Sequence, residues 1–280
     1  MKGMSVMAER SVILLLVLTV FWVGCGDPVI DSAKDLKNTE AKEIIWKKDG
    51  AKMALIPAGS FEMGDHFDEG QNDEHPVHTV ELDAFYMDIH EVTVSQFRKF
   101  VEDSGYVYNK WDSVDIFLPA DEHPIININW NDAIAYCEWA GKRLPTEVEW
   151  EYAVRGGLSD KRYPWGDGEG VARDYANYSG IGGKDQWKKS TAPVGSLKPN
   201  GYGLFDMSGN AWEWCSDQYS RNYYTNSLMK NPTEPKAGQF QVLRGGSWNS
   251  TLYTLRVANR FFFNPNLSYF FSGFRCVSGF

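Results

Sequence analysis

Thiols are scarce in this chain of 280 residues, which has four cysteines, Cys25, Cys137, Cys215 and Cys276. No two of them are near each other, so the paired spacing of a structural zinc site is missing. Positive charge is also short: 28 Lys and Arg face 37 Asp and Glu, a net charge of −9. That excludes a general nucleic-acid binder, which needs a basic face to neutralise phosphates. Beyond the N-terminus no apolar run approaches the ~20 residues of a spanning helix. There is no G-x-S-x-G, no P-loop, no Rossmann fingerprint, no internal repeat and no low-complexity tract. Aromatic residues, by contrast, are plentiful: 11 Trp, 14 Tyr and 16 Phe. Rings of that size fill a core without much regular structure.

The N-terminus has the form of an export signal. Lys2 and Arg10 flank a charged start, and the apolar run Val12 to Val23 ends at Gly24-Cys25. A small residue followed by cysteine resembles a bacterial lipoprotein cleavage site, with Cys25 as the lipidated first residue of the mature chain. An uncleaved anchor is the alternative; both put the domain outside the cytoplasm, on the bacterial cell envelope. Residues 26–45 are polar and lack aromatics, which predicts a flexible tether. The folded domain is then expected over residues 46–280.

Within it, Met53 to Met63 alternates and turns as a hairpin would, and Val77 to Met87 is strand-like. Val94, Phe97, Phe100 and Val101 have helical spacing, with Thr93 or Ser95 as cap. A second helix runs over Asn129–Ala140, capped by Asn131 or Asp132 and ended by Gly141. A third opens at Thr146, with Glu149 completing a capping box, and runs to Gly156-Gly157. Residues 156–209 are rich in Gly, Asn, Asp and Pro and predict little regular structure. A loop region that long needs ions, disulfides or buried aromatics to hold it. Short strands are expected after Phe240. The class is α+β, with many irregular segments.

Two segments are rich in oxygen ligands. In DMSGNAWEW, Asp206 and Glu213 bracket a Ser-Gly-Asn turn, a shape that suits a hard cation such as calcium; the plainer account is a turn leading into a strand. In NYSGIGGKDQW, Asn177 and Asp185 are the candidate ligands. His75 and His78 form an H-x-x-H beside Asp73 and Glu74, but opposite sides of a strand do not converge on a transition metal. His90 and His123 are isolated. The stretch RGGSWNSTLYTLR, residues 244–256, has hydroxyls and no thiol. If Cys25 is lipidated, the three remaining cysteines permit one disulfide, and sequence alone does not choose the pair.

Taken together, FYMDIHEVTVSQFRKFV, HPIININWNDAIAYCEWAGKRLPTEVEWEYAVRGG, YPWGD, PNGYGLFDMSGNAWEW, LRGGSW and GFRCV resemble, in order and spacing, the formylglycine-generating enzyme (sulfatase-modifying factor) domain family over about residues 50–280. The resemblance implies a mixed, low-regularity α+β fold related to C-type lectin-like domains. It implies two structural calcium sites. The first would use the side chains of Asn177 and Asp185 with the carbonyls of Tyr178 and Trp187. The second would use Asp206 and Glu213 with the carbonyls of Gly209 and Ala211. It also implies a Cys137–Cys276 disulfide and leaves Cys215 unpaired. The enzymes of this family bind copper(I) through two cysteines after the Gly-Gly-Ser-aromatic motif, and counting from Gly245 those positions fall on Ser250 and Leu255. A hydroxyl is a poor ligand for copper(I) and leucine is none. Trp212 and Ser247 match pocket-lining positions, so Trp212, Ser247 and Ser250 are the pocket candidates, with no confident catalytic residue.

The expectation is therefore a calcium-stabilised, membrane-anchored domain that binds a protein, peptide or glycan, or assists maturation, without copper chemistry. The competing expectation is an oxidoreductase of the same family, using a non-haem metal or acting in periplasmic peptide maturation, for which His75, His78 and His90 would have to serve. Formylglycine generation by the usual route is the third.

Overall fold

The structure is a computed structural model, and it describes residues 26–112, 120–180, 186–233 and 238–279. The expected signal segment up to Cys25, and Asp185, lie outside the described residues. Among the described residues no helix is long and apolar enough to cross a membrane.

Three helices start where their caps dictate. α1 (Val94–Ser104) is capped by Thr93, whose hydroxyl accepts the Gln96 N–H while the Gln96 side chain accepts the Thr93 N–H. Its buried face is Val94, Phe97 and Phe100. α2 (Trp130–Ala140) is capped by Asn129 rather than Asn131 or Asp132; Asp132 is the partner that closes the box. α3 (Glu147–Arg155) is capped by Thr146 with Glu149. Glycines 105, 141 and 156 end the three helices in the left-handed conformation, as a helix C-terminus favours. Every residue of α3 is buried, four charged ones among them. Glu147 pairs with Arg260, Glu149 with Arg143, and Glu151 with Arg155 and Arg244. Paired charges of this kind make a polar helix tolerable in a core.

Among the described residues, eleven short strands form three sheets. The first has the order β1-β2-β3-β6-β11, with β1 at Val29–Ile30, β2 at Glu43–Trp46, β3 at Lys52–Ile56, β6 at Phe85–Asp88 and β11 at Val277–Gly279. The second has the order β10-β7-β8-β9, with β10 at Ser272–Gly273, β7 at Trp212–Gln218, β8 at Gln241–Arg244 and β9 at Phe261–Phe263. The third pairs β4 (Gly59–Met63) with β5 (His78–Leu82). A one-turn helix α4 (Tyr223–Asn226) follows β7.

Three expectations fail here. Met53 to Met63 is not a hairpin: β3 pairs with β2 and β6, while β4 pairs with β5. Val77 to Met87 is two strands in different sheets. Residues 26–45 are not a tether. β1 and β2 pair with each other and β2 joins β3, while Ile30, Leu36, Ile44 and Trp46 bury together against Met53 and Tyr86. Apolar residues spread thinly through a polar stretch found a sheet edge to cover. Between residues 156 and 209, by contrast, the only described regular element is a short 3₁₀ turn, Glu169–Asp174, as the composition predicts.

Candidate functional site

The loop before β7 brings the candidate residues together. Asp206, Gly209 and Asn210 all have positive φ (57°, 85° and 59°), which curls the chain tightly between the two acidic residues. Gly209 cannot be replaced without collision, because a Cβ there would strike the Asn177 carbonyl. The Asn210 N–H donates to that carbonyl at 2.8 Å, and the Asn210 side-chain oxygen accepts the Ala192 N–H at 2.7 Å. The loops carrying the two expected calcium sites are thus locked backbone to backbone.

Around Asp206 lies a buried acidic group. Asp206 Oδ2 accepts the Gly195 N–H at 2.7 Å, but Oδ1 has no hydrogen-bond partner. Glu91, on the link between β6 and α1, is fully buried with neither carboxylate oxygen partnered. Burial, and then the charge of Asp206, push the Glu91 carboxyl well above its usual range, against the attraction of Arg275. Burial likewise pushes Asp206 up to about 6. Glu213, an expected ligand, accepts from both sides of the Arg275 guanidinium at 2.8 and 2.7 Å and from the Trp150 indole at 2.8 Å. Only its remaining lone pairs are open to another cation.

Three carboxyl groups share one guanidinium, and burial drives Glu91 and Asp206 towards their neutral forms unless a cation takes up their negative charge. Orphaned buried oxygens of this kind demand a partner, and an oxygen-only set with that charge fits a hard divalent ion. Among the described residues no three Asp, Glu, His or Cys side chains converge as a ready-made metal site. The carbonyls of Gly209 and Ala211 would have to complete the set, as calcium coordination allows. Sequence reasoning missed Glu91: a lone acid between Ile89 and Val92 matches no ligand spacing.

The other expected site is different. Asn177 Oδ1 is a buried orphan, and its amide donates to the Ser190 carbonyl at 3.0 Å. The Tyr178 carbonyl, however, accepts from the Arg173 guanidinium at 2.5 Å, and the same guanidinium reaches the Gly180 carbonyl at 2.6 Å. Asn177 and Trp187 line one small cavity of about 40 Å³ with Arg173.

The hydroxyls of residues 247–250 close a turn. The Ser247 N–H donates to Ser250 Oγ at 2.9 Å, the Ser250 N–H donates to the Ser247 carbonyl at 2.9 Å, and the two hydroxyl oxygens lie 3.4 Å apart. Positions 250 and 255 converge on Gly246: a Cβ there would meet Leu255 Cδ2 at 2.7 Å and Ser250 Oγ at 3.3 Å. Leu255 is fully buried among Tyr163, Ala172, Ala176 and Tyr178. Trp212 packs its ring 5.0 Å from Phe261.

The histidines do not converge. His75 Nε2 stands 3.8 Å from Asp65 and Asp68, His78 lies against the Tyr224 ring at 4.9 Å, and His90 Nδ1 is 2.8 Å from the Glu91 carbonyl. Burial holds His90 below its usual range. His123 Nδ1 is 2.8 Å from the Thr191 hydroxyl. Cys137 on α2 and Cys276 before β11 are brought together, fully buried, with sulfurs 2.9 Å apart as two thiols. Cys215 sits alone on β7, and burial pushes its thiol well up.

Comparison with known proteins agrees with this architecture. The chain is 38% identical to the formylglycine-generating enzyme of Streptomyces coelicolor, an alignment covering 80% of this chain and 88% of that one. It is 39% identical to a Chlamydia caviae protein named serine/threonine-protein kinase pkn1, over 81% of this chain but only 38% of the relative's length. The structure of PvdO from Pseudomonas aeruginosa superposes with a TM-score of 0.72 at 27% identity, covering 85% of this chain and 98% of that one. The sulfatase-modifying factor enzyme 1-like domain matches residues 40–279, and the chain belongs to that family.

Proposed function

We propose that this chain is a family member without copper chemistry, acting as an exported binding module or maturation accessory whose loops are held by calcium. The observation that carries the proposal is the content of positions 250 and 255. They converge, but one holds a hydroxyl spent on its own turn and the other a buried leucine. Copper(I) needs soft thiolates. The described cysteines offer none: Cys215 and Cys276 are buried thiols pushed well above their usual range, and Cys137 faces Cys276. Calcium is supported at the Asp206 loop, where Asp206, Glu213, the carbonyls of Gly209 and Ala211, and the nearby charge of Glu91 would hold it. There it would supply the positive charge that fixes the loop.

A ligand surface is supported by a run of aromatics along β9 and beyond. Phe261, Tyr269 and Phe271 pack ring to ring, and Phe262 is 37% exposed. Rings of this kind suit a peptide, glycan or protein partner. The anchor is the lipid on Cys25, supported by the apolar run that ends there; metabolic labelling with a fatty acid, absent from a Cys25→Ala variant, checks it.

The decisive experiment is mass spectrometry of a cysteine-containing sulfatase peptide after incubation with the protein, copper and oxygen. The expected outcome is an unchanged peptide. Conversion of the cysteine to an aldehyde would overturn the proposal.

A further inference from the structure

A groove of about 640 Å³ opens where the described chain begins. Gly26 and Pro28 line it together with Ala41, Leu55, Pro57 and Tyr202, so its walls are largely apolar. None of the six is buried. A groove of this volume falls in the range of small-molecule sites, which bury most of an apolar ligand. The acids on its wall, Asp27 and Glu43, are already neutralised. Lys52 Nζ stands 3.2 Å from Asp27 and 2.5 Å from Glu43. Apolar walls and charges paired with each other suit an uncharged hydrocarbon tail.

Position says which tail. Gly26 follows Cys25 directly, and consecutive Cα atoms lie about 3.8 Å apart. The wall beside it is pinned to the sheet. The Ile45 N–H donates to the Pro28 carbonyl at 2.9 Å, and Val29 and Ile30 pair with Ile45 and Trp46. A group carried on Cys25 is therefore delivered to the groove. Its entry is an intramolecular step, and a short tether makes the effective concentration high.

We infer that this groove is the seat of an acyl chain of the lipid on Cys25. The inference rests on the anchor reading given above. A seated chain takes the exposed apolar walls out of water, a gain that insertion into the bilayer alone does not bring. The open side of the groove then faces the bilayer that holds the rest of the lipid. The anchor thereby orients the domain as well as retaining it.

The test feeds bacterial cells that express the full chain a palmitic acid analogue bearing a photoreactive diazirine. Purified protein in membranes is irradiated, digested and mapped by mass spectrometry. The samples are the wild type, Ala41→Trp, Pro57→Trp and Cys25→Ala. In the wild type the label should crosslink to residues 41–57 and 201–202. Each indole fills the groove from a different wall, so both tryptophan variants should keep the label and lose most of those crosslinks. A thermal melt of each variant identifies one that fails to fold, and the other then decides. A labelled wild type that crosslinks only to membrane lipid would overturn the inference, as would crosslinks that persist in both tryptophan variants. A wild type without label would instead sink the anchor reading, and the seat with it. Cys25→Ala should carry no label; label there would place the lipid elsewhere and overturn both.

Discussion

Replacing Glu91 by glutamine should change stability in opposite directions with and without calcium. In the folded protein Glu91 is fully buried, its carboxylate has no hydrogen-bond partner, and Asp206 and Glu213 repel it. With no ion bound, burial drives Glu91 towards its protonated form, whereas glutamine is neutral at every pH and has two amide hydrogens to give to the unpartnered oxygens around it. Relief of an unsatisfied buried group is worth about 1–3 kcal/mol. With an ion bound, the same change removes one of the negative charges that attract it. Calcium at about 100 times its dissociation constant stabilises the wild type by about 2.7 kcal/mol. At roughly 2–4 °C per kcal/mol for a domain of this size, chelation should lower the wild-type melting temperature by about 5–11 °C. Glu91→Gln should lose most of that difference, melt below the wild type in calcium and melt above it in chelator. Differential scanning calorimetry at neutral pH in excess calcium and in excess chelator reads all four values. A variant less stable than the wild type in both conditions would show that Glu91 has a purely structural role, and the reasoning would fail.

The same group makes the calcium effect depend on pH. Asp206 is raised from 3.8 to about 6 in the fold, so the folded chain holds that proton more tightly than the unfolded one. Stability without calcium is then highest below pH 3.8 as far as this group is concerned, and falls as pH rises through about 6, by about 3 kcal/mol in all. The melting-temperature gap between calcium and chelator should widen from pH 5 to pH 7, by roughly the same reasoning; a gap constant across that range would count against it. Elsewhere, Lys142 is fully buried between Asp49 at 2.6 Å and Asp88 at 2.8 Å. Lys142→Met should lower unfolding stability by about 3–5 kcal/mol in urea melts, with partial recovery on adding Asp88→Asn; a loss within the error of the measurement would refute the pairing. Finally, Ser250→Cys combined with Leu255→Cys should gain copper(I) binding, read by competition with a chromophoric chelator under reducing conditions. No gain over the wild type would contradict the convergence of those positions on Gly246.

Local chemistry made the helices legible. Thr93 with Gln96 and Thr146 with Glu149 are reciprocal pairs that need only three residues of spacing. The α2 cap was ambiguous because Asn129, Asn131 and Asp132 all have capping side chains, and the choice falls on the one whose partner closes a box. Strand partners were not legible. β3 and β4 adjoin in sequence but join different sheets, since pairing is decided by what lies across the ladder. The acidic bracket of Asp206 and Glu213 could be seen as a candidate site, but Glu91 could not. Its role comes from burial against a loop more than a hundred positions away, which leaves no periodic trace.

The folded stretch from Val29 to Trp46 also sets how far the domain can travel. A lipid on Cys25 would be followed by Gly26 and then, within a few residues, by a strand pinned in the sheet. A free linker of twenty residues would let the body roam about 25 Å, as a flexible chain does. Here almost none of that slack exists. The domain would ride on the bilayer as a fixture with one face permanently turned to the lipid. Its search for a partner would be a two-dimensional patrol of the surface.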